Sequence, residues 1–148
     1  MPDDVRSDDS QGPPVPSWFS LDAARQVLDA SPFAAWWGVG LTEVRPGRAT
    51  LLLPWREHFL RPGGVMQGAC CMMLGDVATW IAMMAQVEQW ERAVTLEMKT
   101  NFLGAARCDL WCEGWVVKAG RRSVFCQAAT RDAEGRQVAH HTVTYLLP

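Results

Sequence analysis

The segment that most constrains this chain is its longest apolar run, Val65 to Gln86, interrupted near its middle by one acid, Asp76. Its Ala, Met and Leu content and its lack of proline favour a helix over a strand. Being apolar nearly all round, such a helix must be buried. A run of roughly 22 residues approaches a bilayer span. Asp76 at its centre, Gln67 and Gly68 near its start and strand patterns on both sides make it a core helix instead, with no membrane partner. The segment Met72-Met73-Leu74-Gly75-Asp76-Val77-Ala78 places no cation beside the acid, and an unpaired carboxylate is costly to bury. Asp76 therefore lines a wet pocket or finds a partner, such as an Arg from a neighbouring strand.

Around this helix the pattern is mixed. Residues 1–16 are polar and proline-containing and read as a disordered tail, leaving 17–148 as one domain. Ser20 caps a short amphipathic helix running to Ala30, and Ser31-Pro32 opens a further turn that should face Phe33, Trp36 and Trp37 inward. Val39 to Val44 and Ala49 to Leu53 flank Pro46-Gly47 as a hairpin. His58 to Gly64, with one proline and two glycines, reads as a loop. Four strands follow the long helix as an antiparallel meander: Ala93 to Phe102, Cys108 to Val117, Arg122 to Thr130 and Gln137 to Leu147. The fold class is α+β, an antiparallel sheet wrapped around one long central helix.

Composition removes several functions. A net charge of -2 gives no general attraction to nucleic acid, so contacts to phosphate must come from local groups of Arg and Lys. Five cysteines, without CxxC spacing and mostly inside apolar runs, behave as small buried hydrophobes and point to a reducing cytoplasm. Met1 to Ser17 holds four Asp and no apolar stretch, unlike a secretory signal or transit peptide. Eight tryptophans exceed what a small monomer buries easily and point to subunit contacts.

A second feature of interest is the helix start, Gly64-Val65-Met66-Gln67-Gly68-Ala69, where small residues leave backbone N–H groups open to a carbonyl oxygen or oxyanion. Gly68 and Asp76 are eight residues apart, roughly 12 Å along a helix axis, so one copy cannot bring both to one carbonyl. If they serve one reaction, the acid of one subunit works with the helix start of another across a two-fold interface.

Gln67-Gly68-Ala69 followed by Leu74-Gly75-Asp76 resembles the hotdog thioesterase pattern His-Gly-Gly, four residues, Leu-Ala-Asp. Thr95 to Leu103, Gly120-Arg121-Arg122 and Gly135-Arg136-Gln137-Val138-Ala139 match later strand signatures of that family in order, so the resemblance spans about Phe33 to Leu147. The likeness is to its phenylacetyl-CoA thioesterase-like (PaaI-like) group, linked to phenylacetic acid degradation. It implies the hotdog fold, a homodimer or dimer of dimers, and an acyl-CoA substrate whose CoA needs no separate cofactor. Carried over by motif, the family's general base or nucleophile falls on Asp76, its carbonyl-polarising N–H on Gly68, and its water-placing hydroxyl on Thr95. The family's His is Gln67 here, still able to donate a hydrogen bond, and its loop Asn is Arg61. Arg61 would lower the basicity of Asp76 if it reached it; otherwise it could bind the acyl group's own carboxylate or a CoA phosphate.

Further substrate contacts are expected from Gly64, Met66, Ala69 and Trp80, with Arg121 and Arg122, beside Lys118, meeting the CoA phosphates at the pocket mouth. Met66, Met72, Met73, Met83 and Met84 read mainly as core. His140-His141 point to opposite faces of the last strand without ligand spacing, so no metal is expected, and His58 is a minor candidate for the site. No Gly-x-Ser-x-Gly elbow occurs, which disfavours a Ser-His-Asp hydrolase. The leading expectation is acyl-CoA hydrolysis. The alternatives are an acyl-CoA or acyl-carrier binding module with little turnover, and a hotdog dehydratase, against which the absence of a His at position 67 argues.

Overall fold

The computed structural model describes residues 19–88 and 90–148. The tail expected over residues 1–16, and Trp18, lie outside the described residues.

Helix α1 spans Leu21–Asp29; the Ser20 backbone is extended and its hydroxyl accepts the Ala23 N–H at 3.1 Å, the cap expected from sequence. Helix α2 spans Pro32–Trp37 and ends at Gly38, whose φ of 73° is one that glycine adopts freely. Within this chain α2 buries only Ala34, and Trp36 stands 69% exposed with Phe33 also at the surface. The inward orientation expected of Trp36 is thus not met, whereas Trp37 packs against the core.

Strands β1 (Gly40–Arg45) and β2 (Arg48–Leu53) form the expected hairpin around Pro46-Gly47. The segment expected as a loop is more ordered. A single 3-10 turn, Glu57–Phe59, leads into β3 (Leu60–Arg61), which pairs with β4 (Val65–Met66) across glycines 63 and 64, both at positive φ. Met66 N–H also donates to the Ala106 carbonyl at 2.8 Å, so Val65 and Met66 are claimed by extended pairing. The long helix, α3, therefore begins at Gly68 rather than Val65 and runs to Met84. Among the described residues no helix is long and apolar enough to cross a membrane.

The remaining strands are β5 (Val94–Phe102), β6 (Leu110–Ala119), β7 (Ser123–Asp132) and β8 (Gln137–Leu146). The six long strands form one antiparallel sheet in the order β1-β2-β6-β7-β8-β5. The meander expected of the last four strands holds only for β6, β7 and β8. Because β2 takes the other side of β6, the open side of β8 is what remains for β5.

Helix α3 lies against β6, β2 and β7, and two glycines set how closely. A Cβ on Gly114 of β6 would stand 2.6 Å from the backbone carbon of Ala78, and one on Gly75 of α3 would stand 2.6 Å from the His141 ring. Helix backbone thus touches sheet backbone at one point and a buried imidazole at the other. That imidazole bridges the sheet, Nδ1 to the Thr100 hydroxyl and Nε2 to the Thr130 hydroxyl, each at 2.9 Å. Burial, with a smaller contribution from His140, pushes the His141 pKa down to about 4. Cys70, Cys71, Cys112 and Cys126 are buried and unpaired, and burial pushes the Cys112 and Cys126 thiols up to about 12, as suits packing rather than chemistry.

The sheet edges differ. Helix α1 packs on β1, whereas β5 presents a nine-residue edge with Val94, Leu96 and Phe102 exposed.

Candidate active site

Asp76 lies in the third turn of α3, half-buried at the edge of a cleft of about 210 Å³. Phe33, Val77, Trp80 and Ala93 give this cleft apolar walls, and Thr95 and Tyr145 supply its hydroxyls. The carboxylate meets no cation among the described residues; it is held by hydroxyl groups. Thr95 Oγ1 donates to Asp76 Oδ1 at 3.0 Å, and Tyr145 Oη donates to the same oxygen at 3.1 Å and to the Asp76 backbone carbonyl at 2.7 Å. Thr79 Oγ1 is 2.8 Å from Tyr145 Oη. The acid thus borders a cleft, and pairing with a strand Arg is not found among the described residues.

Thr95 reaches Asp76 through an irregularity of β5. Thr95 pairs with Tyr145 and Glu97 with Thr144, so Leu96 is an extra residue in the ladder. In a regular strand Thr100, Met98, Leu96 and Val94 would share the helix-facing side. The bulge turns Leu96 out, at 61% exposure, and brings Thr95 in.

Gly68 opens on a different cleft. This one, about 480 Å³, is bordered by Arg61, Val65, Met66, Gly68, Cys71 and Phe102, while Asp76 and Thr95 border the first. The N–H of Gly68, at the first helical position, has no intrahelical acceptor. Gln67 caps α3, its Oε1 accepting the Ala69 N–H, so Ala69 is not an open donor. Arg61 stays on its own loop, Nη1 donating to the Pro62 carbonyl at 2.8 Å, and within the chain it does not reach Asp76. Gly64 shapes the turn before the helix at φ 71°, and Arg107 steadies that turn by donating to the Gly64 carbonyl at 3.2 Å.

Trp80 borders the Asp76 cleft, its ring 6.3 Å from that of Phe33. Met66 lines the Gly68 cleft, while Met83 and Met84 are core. Arg121 and Arg122 occupy the exposed β6–β7 turn and line neither cleft. They do sit at the Asp76 end of the sheet, since Ser123 and Val94 both pair with Leu146. His58 is exposed, its ring against Phe59, and takes no part in either cleft. Among the described residues no group of three or more His, Cys, Asp or Glu could hold a metal ion.

Sequence reasoning passed over Tyr145. Its signal was present: it is the chain's only tyrosine, on the inward alternation of Val143, Tyr145 and Leu147.

A six-stranded antiparallel sheet seated on one long central helix, with the acid mid-helix and a glycine at the helix start, is the hotdog fold. The chain belongs to the thioesterase superfamily, whose pattern it matches over residues 63–139. A protein of Saccharolobus solfataricus, named as a candidate esterase, is 29% identical over 99 residues, covering 66% of this chain and 70% of its own. Among solved structures, a conserved protein of Pseudomonas aeruginosa is similar with a TM-score of 0.76 and 29% identity, covering 83% of this chain and 98% of the other. A thioesterase family protein of Silicibacter pomeroyi gives a TM-score of 0.78 at 25% identity, covering 86% and 97%.

Proposed function

We propose that this protein hydrolyses acyl-CoA thioesters at a composite site between two copies, in the manner of the phenylacetyl-CoA thioesterase-like group. One observation carries the reading. The two clefts flank opposite ends of the bare edge strand: Ala93 and Thr95 border the Asp76 cleft, and Phe102 and Leu103 border the Gly68 cleft. If two copies pair antiparallel along β5 about a two-fold axis, the Thr95 end of one meets the Phe102 end of the other. Each Asp76 then faces a partner's helix start, and the exposed Val94, Leu96 and Phe102 are covered.

In that site the acyl thioester lies with its carbonyl oxygen at the Gly68 N–H of one copy, where the helix terminus stabilises the developing oxyanion. Asp76 of the other copy takes the proton of a water as the water oxygen bonds to the carbonyl carbon, and passes that proton to the departing sulfur. Alternatively it attacks that carbon itself to give a mixed anhydride that water then hydrolyses, the proton released going to the thiolate. The C–S bond then breaks and CoA leaves as the thiol. CoA is part of the substrate, and this chemistry asks for no further cofactor. Arg61 would enter from the Gly68 side, able to meet an anionic group of the substrate, with Arg121 and Arg122 outside the Asp76 cleft near the CoA phosphates. The free cysteines suit a reducing cytoplasm.

Incubating the protein with short, medium and aromatic acyl-CoAs and a thiol reagent tests the reading. Release of CoA that is abolished in Asp76→Asn supports it, and full turnover by that variant contradicts it. One observation favours a second reading, an acyl-CoA binding module of low turnover: Gln67 occupies the Ala69 N–H and leaves fewer donors for an oxyanion. Binding of acyl-CoA without release of thiol would select that reading.

A further inference from the structure

We infer that Tyr145 is a positioning residue of this reaction, holding Asp76 by one oxygen so that the other is the one that reacts; the inference rests on the thioesterase reading above.

Tyr145 and Thr95 are directly opposed on adjacent strands, and both send a hydroxyl to Asp76 Oδ1, at 3.1 and 3.0 Å. Among the described residues Oδ2 accepts no hydrogen bond, so the two carboxylate oxygens have different tasks. The proton count agrees. The single Tyr145 proton is shared between Asp76 Oδ1 and the Asp76 carbonyl, 2.7 Å away, which fixes the side chain to its own backbone as well as to the sheet. Thr79 Oγ1, anchored 2.9 Å from the Gly75 carbonyl, stands 2.8 Å from Tyr145 Oη and orients that hydroxyl. No buried side-chain polar atom among the described residues lacks a partner, and Asp76 itself borders the cleft.

Tyr145 is only 2% exposed. Burial first, then the charge of Asp76, holds its phenol well above the ordinary range, so it remains a donor at neutral pH. During turnover Asp76 Oδ2 takes a proton from the attacking water, whose oxygen bonds to the thioester carbon. The same proton goes to the departing sulfur as the C–S bond breaks. Tyr145 keeps its own proton throughout, which is why it is a positioning residue and not a catalytic one.

Two measurements test this. Tyr145 is the chain's only tyrosine, so labelling tyrosine with 13C at Cζ gives one assignable signal. A phenol donating to a carboxylate should resonate downfield, and Asp76→Asn should move the signal upfield at neutral pH; an unchanged signal overturns the inference, whether or not the protein turns over any thioester. With a hydrolysed acyl-CoA, Tyr145→Phe keeps the ring and removes the donor, and should lower kcat roughly tenfold with KM within twofold. A kcat within twofold of the native protein overturns the inference while leaving the thioesterase reading intact. Absence of thioester hydrolysis by the native protein would instead sink that reading, and the carbon signal would still decide whether Tyr145 holds Asp76.

Discussion

The two ends of α3 are built on opposite plans. Around Asp76 the helix is locked: Gly75 sits against the His141 ring, Thr79 and Tyr145 tie the Asp76 carbonyl, and Thr95 arrives from β5 through a bulge. Around Gly68 the chain is open, with an exposed Gln67 cap, a glycine turn and an Arg pointing along its own loop. A side chain that must move a proton needs a fixed geometry, which packing and hydrogen bonds supply. A backbone N–H is fixed already by the helix that carries it, so the open end needs only to stay clear of side chains.

That contrast can be broken at either end. The largest effect is expected at the locked end, where Asp76→Asn should lower kcat by about 10³-fold with little change in melting temperature. Retention of activity would remove Asp76 from the chemistry. At the open end, Gly68→Pro deletes the one N–H of interest at the position where helices accept proline. Gln67, at φ -64° and ψ 142°, already has the backbone that a following proline requires. Phe102, which a Cβ at position 68 would approach to 3.0 Å, is itself exposed and able to give way. A loss of about 10²-fold in kcat with helix content unchanged by circular dichroism is expected, and no loss would show that Gly68 is a hinge rather than a donor.

Acid should act on the locked end first. His141 behind Gly75 is buried neutral, with a pKa pushed down to about 4 mainly by burial. Below the ordinary His value of 6.5 the unfolded chain binds a proton that the folded chain refuses, so stability falls as pH drops from 6.5 toward 4 and levels off below that. The full span corresponds to roughly 3 kcal/mol, and urea melts at pH 7 and pH 4.5 should show most of it. His141→Gln should flatten the slope. The smallest effect is expected for Thr95→Val, one hydroxyl among two on Oδ1, at roughly tenfold in kcat, with Thr95→Ser close to native.

Legibility in the sequence followed the same division. The central helix and its acid were readable because a long apolar run with one carboxylate permits few arrangements. The start of that helix was misplaced by three residues, since Val65 and Met66 have no local feature that announces pairing with Leu60 and Arg61. Thr95 was reached through resemblance alone; strict alternation would have chosen Leu96 or Val94, and the bulge that reverses them is a tertiary feature. Tyr145 was missed because alternation marks it only as inward-facing, like Val143 beside it. Trp36 went astray for a related reason: aromatic residues near a core helix read as core, and here it stands on the outer face of α2.

The central claim is that the locked end of one copy works with the open end of another. Mixing Asp76→Asn with Gly68→Pro after partial unfolding and reassembly tests it directly, because a mixed dimer rebuilds one site from the native Asp76 of one chain and the native Gly68 of the other. Recovery of about a quarter of native activity is expected from random pairing into two-fold dimers. Two inactive proteins that stay inactive on mixing, although light scattering shows them pairing, would place both groups within a single copy and contradict the account.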